Sequence, residues 1–359
     1  MKIVILGLTI TSSWGNGHAT TFRGLVRGLA RRGHDVLFLE RDKPWYAGNR
    51  DLPAPPFGRT HLYDDLASLE HRWAPAIRAA DLVIVGSYVP DGIAVGRLVQ
   101  RLARGLTAFY DIDTPVTLAA LAQGRCDYLT PDLIRDFDLY LSFTGGPTLT
   151  ELEARLGARS ARALYCSADP EIYHPDPAAP PRWDLGYLGT YSPDRQPTVN
   201  ALLAGPAAAW ARGRFVVAGP QYPADTAWPA NVERIEHLAP DRHRGFYCSQ
   251  RFTLNVTRAD MIRRGHSPSV RLFEAACCGV PIISDWWPGL DALFRPDTEI
   301  LIARNGEDVL DILRSMPEGR RLAIADAARA RVLAAHTGDH RAAELETYAH
   351  AAARSRVNA

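Results

Sequence analysis

The stretch that most constrains the fold runs from Leu254 to Asp285, LNVTRADMIRRGHSPSVRLFEAACCGVPIISD. It reads as a strand, a loop, a short helix and a second strand. Thr253 to Thr257 are β-prone. A polar, basic loop follows through Arg258, Asp260, Arg263, Arg264 and Gly265. Ser267 suits a helix N-cap, Pro268 the first helical position, and Gly279 the position just past the end. Pro281 to Asp285 reads as a buried strand ending in an acid.

That helix has two faces. Val270, Phe273 and Cys277 recur at steps of three and four and turn toward a core. Ser267, Arg271, Glu274 and Cys278 recur in the same way on another side. A helix N-terminus, with its unpaired N–H groups and positive dipole end, therefore lies near an arginine and a glutamate. The pattern suits an anion together with a carboxylate that accepts from hydroxyls, as a nucleoside diphosphate requires. The plainer alternative is an exposed Arg271–Glu274 pair.

A chain of 359 residues suggests roughly two domains. Its 47% hydrophobic content supplies ample core, and a net charge of +1 gives no global attraction to nucleic acid. No apolar run is long enough for a membrane span. The N-terminus enters a strand directly, without the apolar run and cleavage site of a signal peptide. Cys126, Cys166, Cys248, Cys277 and Cys278 are odd in number and lack a C-x-x-C pair. Reduced thiols and a cytoplasmic location fit better than a disulfide framework or a structural zinc.

In the first half, Ile3 to Leu6 form a buried strand. The loop from Thr9 ends Trp14-Gly15-Asn16-Gly17-His18, and a helix follows with Phe22, Leu25, Val26 and Leu29 at helical spacing. Val36 to Leu39 form the next strand, ending at Glu40, so a βαβ unit opens the chain. Gly15-x-Gly17 with Glu40 imitates a dinucleotide fingerprint, but Thr20 stands at the third glycine position. Strands recur at Leu82–Val85, Gly105–Tyr110 and Leu139–Phe143. Ligands of parallel sheets lie outside the carboxyl ends of the strands, which makes the following segments site candidates: Gly86-Ser87-Tyr88, Asp111-Ile112-Asp113 and Thr144-Gly145-Gly146. Asp111 and Asp113 also admit a divalent-cation reading or a turn-and-cap reading.

Ser167 to Arg182 is rich in proline and reads as an interdomain linker. A strand restarts near Trp183 and leads into Gly189-Thr190-Tyr191, with Arg195 beyond: a glycine loop followed by an arginine, suited to phosphate. Further strands fall at Phe215–Val217 and Val232–Leu238, with an edge segment in Leu293–Arg304. Helices cover Glu307–Met316 and Arg320–Ala335, and a terminal helix begins near His336.

The second half resembles group 1 glycosyltransferases of the CgeB-like (spore maturation protein) family. The carrying residues are Asp184 to Tyr191, Leu254 to Arg258, Ser267 to Ala276 and Gly279 to Asp285. The resemblance implies an α/β chain of GT-B architecture, two Rossmann-like domains facing a central cleft. The expected divisions are residues 1–170 for the acceptor side, 183–335 for the nucleotide sugar, and 336–359 as a terminal helix packing back on the first domain. It implies sugar transfer from a nucleoside-diphosphate-sugar donor to an unidentified acceptor, with retained anomeric configuration, no metal and no cofactor. Neither a nucleic-acid partner nor a membrane span is expected.

In the family's E-x7-E pattern, Glu274 matches the second glutamate, which holds ribose hydroxyls. His266 stands where the first would be, a departure that leaves the donor sugar unassigned. Arg195, Arg258, Ser267, Arg271, Gly189 and Tyr191 complete the expected donor side. Asp113, His18 and His266 are the candidates for catalysis. The rivals are a metal-dependent single-domain transferase using Asp111 and Asp113, a GT-B-shaped nucleotide-sugar epimerase and a non-catalytic nucleotide-binding module.

Overall fold

The computed structural model describes residues 1–357 and divides them into two compact units. The first comprises Met1–Ser167 and Gly338–Ala359, the second Ala168–Thr337.

The first unit is built on a seven-stranded sheet of β1 (Lys2–Gly7), β2 (Asp35–Arg41), β3 (Arg59–Tyr63), β4 (Leu82–Gly86), β5 (Leu106–Asp111), β6 (Leu139–Ser142) and β7 (Ala161–Ala163). Its spatial order is β3-β2-β1-β4-β5-β6-β7, and every pairing is parallel. The central strands are buried on both faces, which is why Ile3–Leu6 and Leu82–Val85 are unbroken apolar runs and do not alternate. β3 and β7 have no counterpart among the expected strands. Both are short edge strands, and β3 buries only Tyr63 fully, so neither carries the apolar run of a covered strand.

The second unit repeats the plan with six strands: β8 (Trp183–Leu188), β9 (Phe215–Ala218), β10 (Val232–Ile235), β11 (Gln250–Asn255), β12 (Ile282–Ser284) and β13 (Leu301–Ile302). Its order is β10-β9-β8-β11-β12-β13, again all parallel. Counted within each unit, both sheets run 3-2-1-4-5-6, the doubly wound order of the Rossmann fold. The order reverses between the first and fourth strands. The crevice this creates lies between β1 and β4 in one unit, and between β8 and β11 in the other.

The helix Gly338–Val357 packs along the helix His18–Arg31. Two glycines make this approach possible: a Cβ on Gly28 would come within 2.5 Å of the Gly338 carbonyl oxygen, and one on Gly338 within 2.3 Å of the Gly24 oxygen. Glu346 locks the contact with His34 at 2.5 Å and with Arg32. Residues 168–182, expected as a linker, pack on the second unit. Tyr173 is buried, and Arg244 donates to the His174 carbonyl at 3.0 Å. Prolines hold this segment extended, and it covers the surface near Gly279, where Pro175 makes contact. Among the described residues no helix is long and apolar enough to cross a membrane.

Candidate functional site

In the second unit, one side chain spans the strand-order reversal. Arg271 donates from Nε to the Leu188 carbonyl at the end of β8 (2.6 Å) and from Nη1 to Asn255 Oδ1 at the end of β11 (2.8 Å). Its guanidinium lies 4.9 Å from the centre of the Tyr187 ring and is only 8% exposed. Gly189 leaves the space for this arrangement. A Cβ there would meet the Tyr187 hydroxyl at 2.6 Å and Arg271 Nη2 at 3.0 Å. The Tyr187 hydroxyl is buried and has no hydrogen-bond partner among the described residues.

Arg195 and Arg258 join this corner. Arg195 donates from Nη2 to the Thr190 carbonyl at 2.6 Å, while its buried Nε has no partner. Burial pushes its pKa below the ordinary guanidinium value, and the positive fields of Arg271 and Arg258 add to the effect. Asp194, beside Arg195 and Arg258, and Asp285, near Arg271, offset part of this positive charge, and an anion placed among the three arginines relieves the remaining repulsion.

The helix expected from Pro268 starts two residues later, spanning Val270–Cys277 with Ser269 as N-cap. Ser267 is therefore not the cap; it is buried in the turn before the helix. Asn255 accounts for the shift. Its Oδ1 accepts from Ser269 Oγ at 2.9 Å as well as from Arg271, drawing residue 269 onto the end of β11. His266 sits in that turn with φ 48°, a left-handed conformation that few non-glycine residues adopt. Its backbone N–H donates to the Pro288 carbonyl at 2.6 Å, and its ring lies against Gly289, where a Cβ would be 2.3 Å from Nδ1. Glu274, one turn beyond Arg271, is 3% exposed and accepts from the Tyr247 hydroxyl at 3.2 Å. The buried Tyr173, whose hydroxyl lies 3.5 Å from His243 Nδ1, is its neighbour. A carboxylate has about four acceptor sites, so these tyrosines orient Glu274 without saturating it. Tyr191 packs edge-on against Tyr222, which contacts Trp228, and Arg234 lies 4.2 Å over the Tyr222 ring.

The first unit places His18, Tyr88 and Asp113 together at its own reversal. His18 opens the helix that follows β1, and Asn16 Oδ1 caps that helix by accepting from the His18 and Ala19 N–H groups at 3.1 and 3.2 Å. The His18 ring meets Tyr88 edge to face at 5.4 Å, and Tyr88 donates to Asp113 Oδ2 at 3.3 Å. Burial lowers the His18 pKa to about 4, so the imidazole is neutral at neutral pH. Its Nδ1 is buried and unpartnered. Tyr88 itself has φ 61°, a strained conformation just past β4.

The other two acids of this unit do different work. Asp111 is fully buried and accepts from the Tyr140 hydroxyl (2.5 Å), Thr117 Oγ1 (2.7 Å) and the Asp113 N–H (3.2 Å). Burial raises its pKa to about 6. It braces Asp113, and both of its oxygens are committed. Glu40, which mimicked the ribose acid of a dinucleotide fingerprint, is also fully buried. It accepts from the Ile10 and Thr11 N–H groups and from Thr11 Oγ1, at 2.7, 3.0 and 2.6 Å. The glycine loop is shaped by Glu40, and that carboxylate is not presented to a ligand.

Residues 195–347 match the glycosyl transferase-like family, and no curated protein matches the chain by sequence. Among solved structures, sucrose-phosphate synthase from Thermosynechococcus elongatus is similar at TM-score 0.69 and 15% identity, over 97% of this chain and 98% of that one. The fold is GT-B. HepE from Anabaena, solved in complex with UDP and glucose, is similar at TM-score 0.71 and 12% identity, over 97% of this chain and 98% of that one. An alpha-glucosyltransferase in complex with UDP-glucose and abasic DNA is similar at TM-score 0.67 and 13% identity, over 92% and 95% of the two chains.

Reading this GT-B chain by sequence alone marked Tyr88 only as part of a strand-end segment and missed Asn255, Tyr187 and Tyr247 as site residues. Tyr88 and Asn255 carried one usable signal, a polar residue at or just past the end of a central strand. Tyr247 carried none, because its partner Glu274 is 27 positions away.

Proposed function

We propose that this chain is a glycosyltransferase moving a sugar from a nucleoside-diphosphate sugar, with UDP-sugars the first donors to test, to an acceptor hydroxyl. The carrying observation is Arg271, locked across the β8–β11 reversal with Arg195 beside it. Breaking an anomeric bond leaves negative charge on the departing diphosphate. Fixed guanidinium groups stabilise that charge without reorganising, the electrostatic route to catalysis. Arg195, Arg258 and Arg271 hold the diphosphate, and Glu274 accepts from ribose hydroxyls.

On the acceptor side, neutral His18 and Asp113, positioned by Tyr88, orient the attacking hydroxyl. In this reading transfer retains configuration, needs no metal and belongs to the CgeB-like branch. The resemblance over Ser267–Ala276 and Gly279–Asp285 supports these finer points. The glycosyl transferase-like match and the UDP bound to HepE support the broader reading, a transferase taking a nucleotide-sugar donor.

The test is a thermal-shift panel of UDP-, GDP- and dTDP-sugars followed by a donor-consumption assay. A nucleotide sugar that binds the native chain raises its melting temperature. A panel without any shift, together with no donor consumption across an acceptor screen, overturns the reading.

A further inference from the structure

Behind Glu274 the second unit holds a pair of thiols that the proposed chemistry does not use. Cys248 ends the helix His243–Cys248, directly after Tyr247. Cys278 follows the helix Val270–Cys277, and its N–H donates to the Glu274 carbonyl at 3.0 Å. Cys248 Sγ donates to the His174 carbonyl at 3.6 Å and lies 3.9 Å from the Cys278 carbonyl oxygen, which brings the two thiol-bearing residues side by side. Cys248 is half-buried, whereas Cys278 is 3% exposed. Cys277 is its neighbour in sequence, but consecutive helical positions point about 100° apart.

We infer that Cys248 and Cys278 form a redox-modification site, a dithiol that closes to a disulfide by exchange with a small-molecule disulfide such as glutathione disulfide. The Cys248 thiolate attacks one glutathione sulfur and releases glutathione thiolate. Cys278 then loses its proton and attacks the mixed disulfide at the Cys248 sulfur, releasing the second glutathione. One disulfide is consumed, one is formed, and two glutathione thiols are produced. Cys248 is suited to attack first. Its neighbour Cys278, then the Asp176 backbone and the Arg244 guanidinium, push its pKa down to about 7, and partial exposure lets a small oxidant approach. Cys278, more deeply buried, is suited to resolve.

Closure has a consequence at the donor corner, which rests on the function proposed above. Tyr247 and Glu274 are bonded to one another, and each is coupled to one of the two cysteines. A covalent link between those cysteines draws the two helices together and changes how Glu274 is held. Oxidised protein should therefore bind UDP-glucose roughly 5-fold or more weakly than reduced protein.

The experiment treats reduced full-length protein with glutathione disulfide and maps its disulfides by non-reducing mass spectrometry. UDP-glucose binding is then measured on both forms by calorimetry. A Cys248–Cys278 link is expected in the wild type and in Cys277→Ser. In Cys278→Ser, glutathione should remain trapped on Cys248. A link to Cys277, or no link, overturns the site. Equal affinity of the two forms overturns its coupling to the donor. If the link forms but the reduced protein binds no nucleotide sugar, the modification site stands and the donor-binding reading falls.

Discussion

At the carboxyl ends of β1, β2, β4 and β5 stand buried Glu40, Asp111 and neutral His18 and half-buried Tyr88. At the ends of β8 and β11 stand buried Arg271 and Asn255 and half-buried Arg195. The two sheets share one strand order, yet acids and a neutral imidazole stand out in one crevice and guanidinium groups in the other. The topology supplies a place for a ligand in each unit, and the side chains at the strand ends decide what that place accepts. The acids of the first unit are largely satisfied by hydroxyl and backbone donors, so they shape loops and brace one another. The guanidinium groups of the second unit keep unspent donor capacity, which an anion can take up.

Removing Arg271 breaks this contrast most severely. Arg271→Ala should lower transfer by about 10²–10³-fold. It should also destabilise the protein by about 2–4 kcal/mol, because it strips donors from the Leu188 carbonyl and Asn255. Denaturant melts alongside turnover check both parts, and unchanged turnover removes the arginine corner from the mechanism. Arg195→Ala isolates the charge effect. Among the described residues its side chain bonds only the Thr190 carbonyl, so turnover at saturating donor should fall by about 10- to 100-fold while the melting temperature moves little.

The first unit is tested through pH. Asp111 has a folded pKa raised from 3.8 to about 6, so the native protein keeps a proton that the unfolded chain has lost, and stability falls as pH rises across that window. His18 has a folded pKa lowered from 6.5 to about 4. The unfolded chain takes up that proton first, and stability falls as pH drops between those values. Between pH 4 and 6 the two groups oppose each other. Asp111→Asn should leave stability rising with pH there, and His18→Gln should leave it falling, each by on the order of 1–3 kcal/mol. Chemical denaturation at several pH values reads both slopes, and two parallel slopes would contradict the assignment.

The smallest effect belongs to Tyr88→Phe. It keeps the ring against His18 and deletes the bond to Asp113, costing about 0.5–1.5 kcal/mol of stability. With an acceptor in hand, the loss should appear in acceptor KM more than in donor affinity.

Much of the architecture was open to reading because covered parallel strands need consecutive apolar residues. Ile3–Leu6, Leu82–Val85 and Phe215–Val217 announce themselves in that way. β3 and β7, at or near the sheet edge and only partly covered, do not. The donor corner was half legible. Arg271 and Glu274 stand out by helical spacing, and Arg195 by its glycine loop. Ser267 was placed wrongly because local N-cap preference could not anticipate the pull of Asn255 on Ser269, 14 positions away.

The sequence by itself determined the alternation of strands and helices, the doubling into two α/β units and the short list of arginines and acids beside glycine loops. These are local properties, written in periodicity and in residues that tolerate particular backbone angles. Only the tertiary structure decided which polar groups are already spent. Glu40 and Asp111 are consumed by loop amides and hydroxyls, whereas Arg271 reaches the Leu188 carbonyl 83 positions away and still faces a buried, unpartnered tyrosine hydroxyl. The physical reason is that hydrogen-bond capacity is settled by whichever groups folding brings within reach, and those partners lie far apart along the chain.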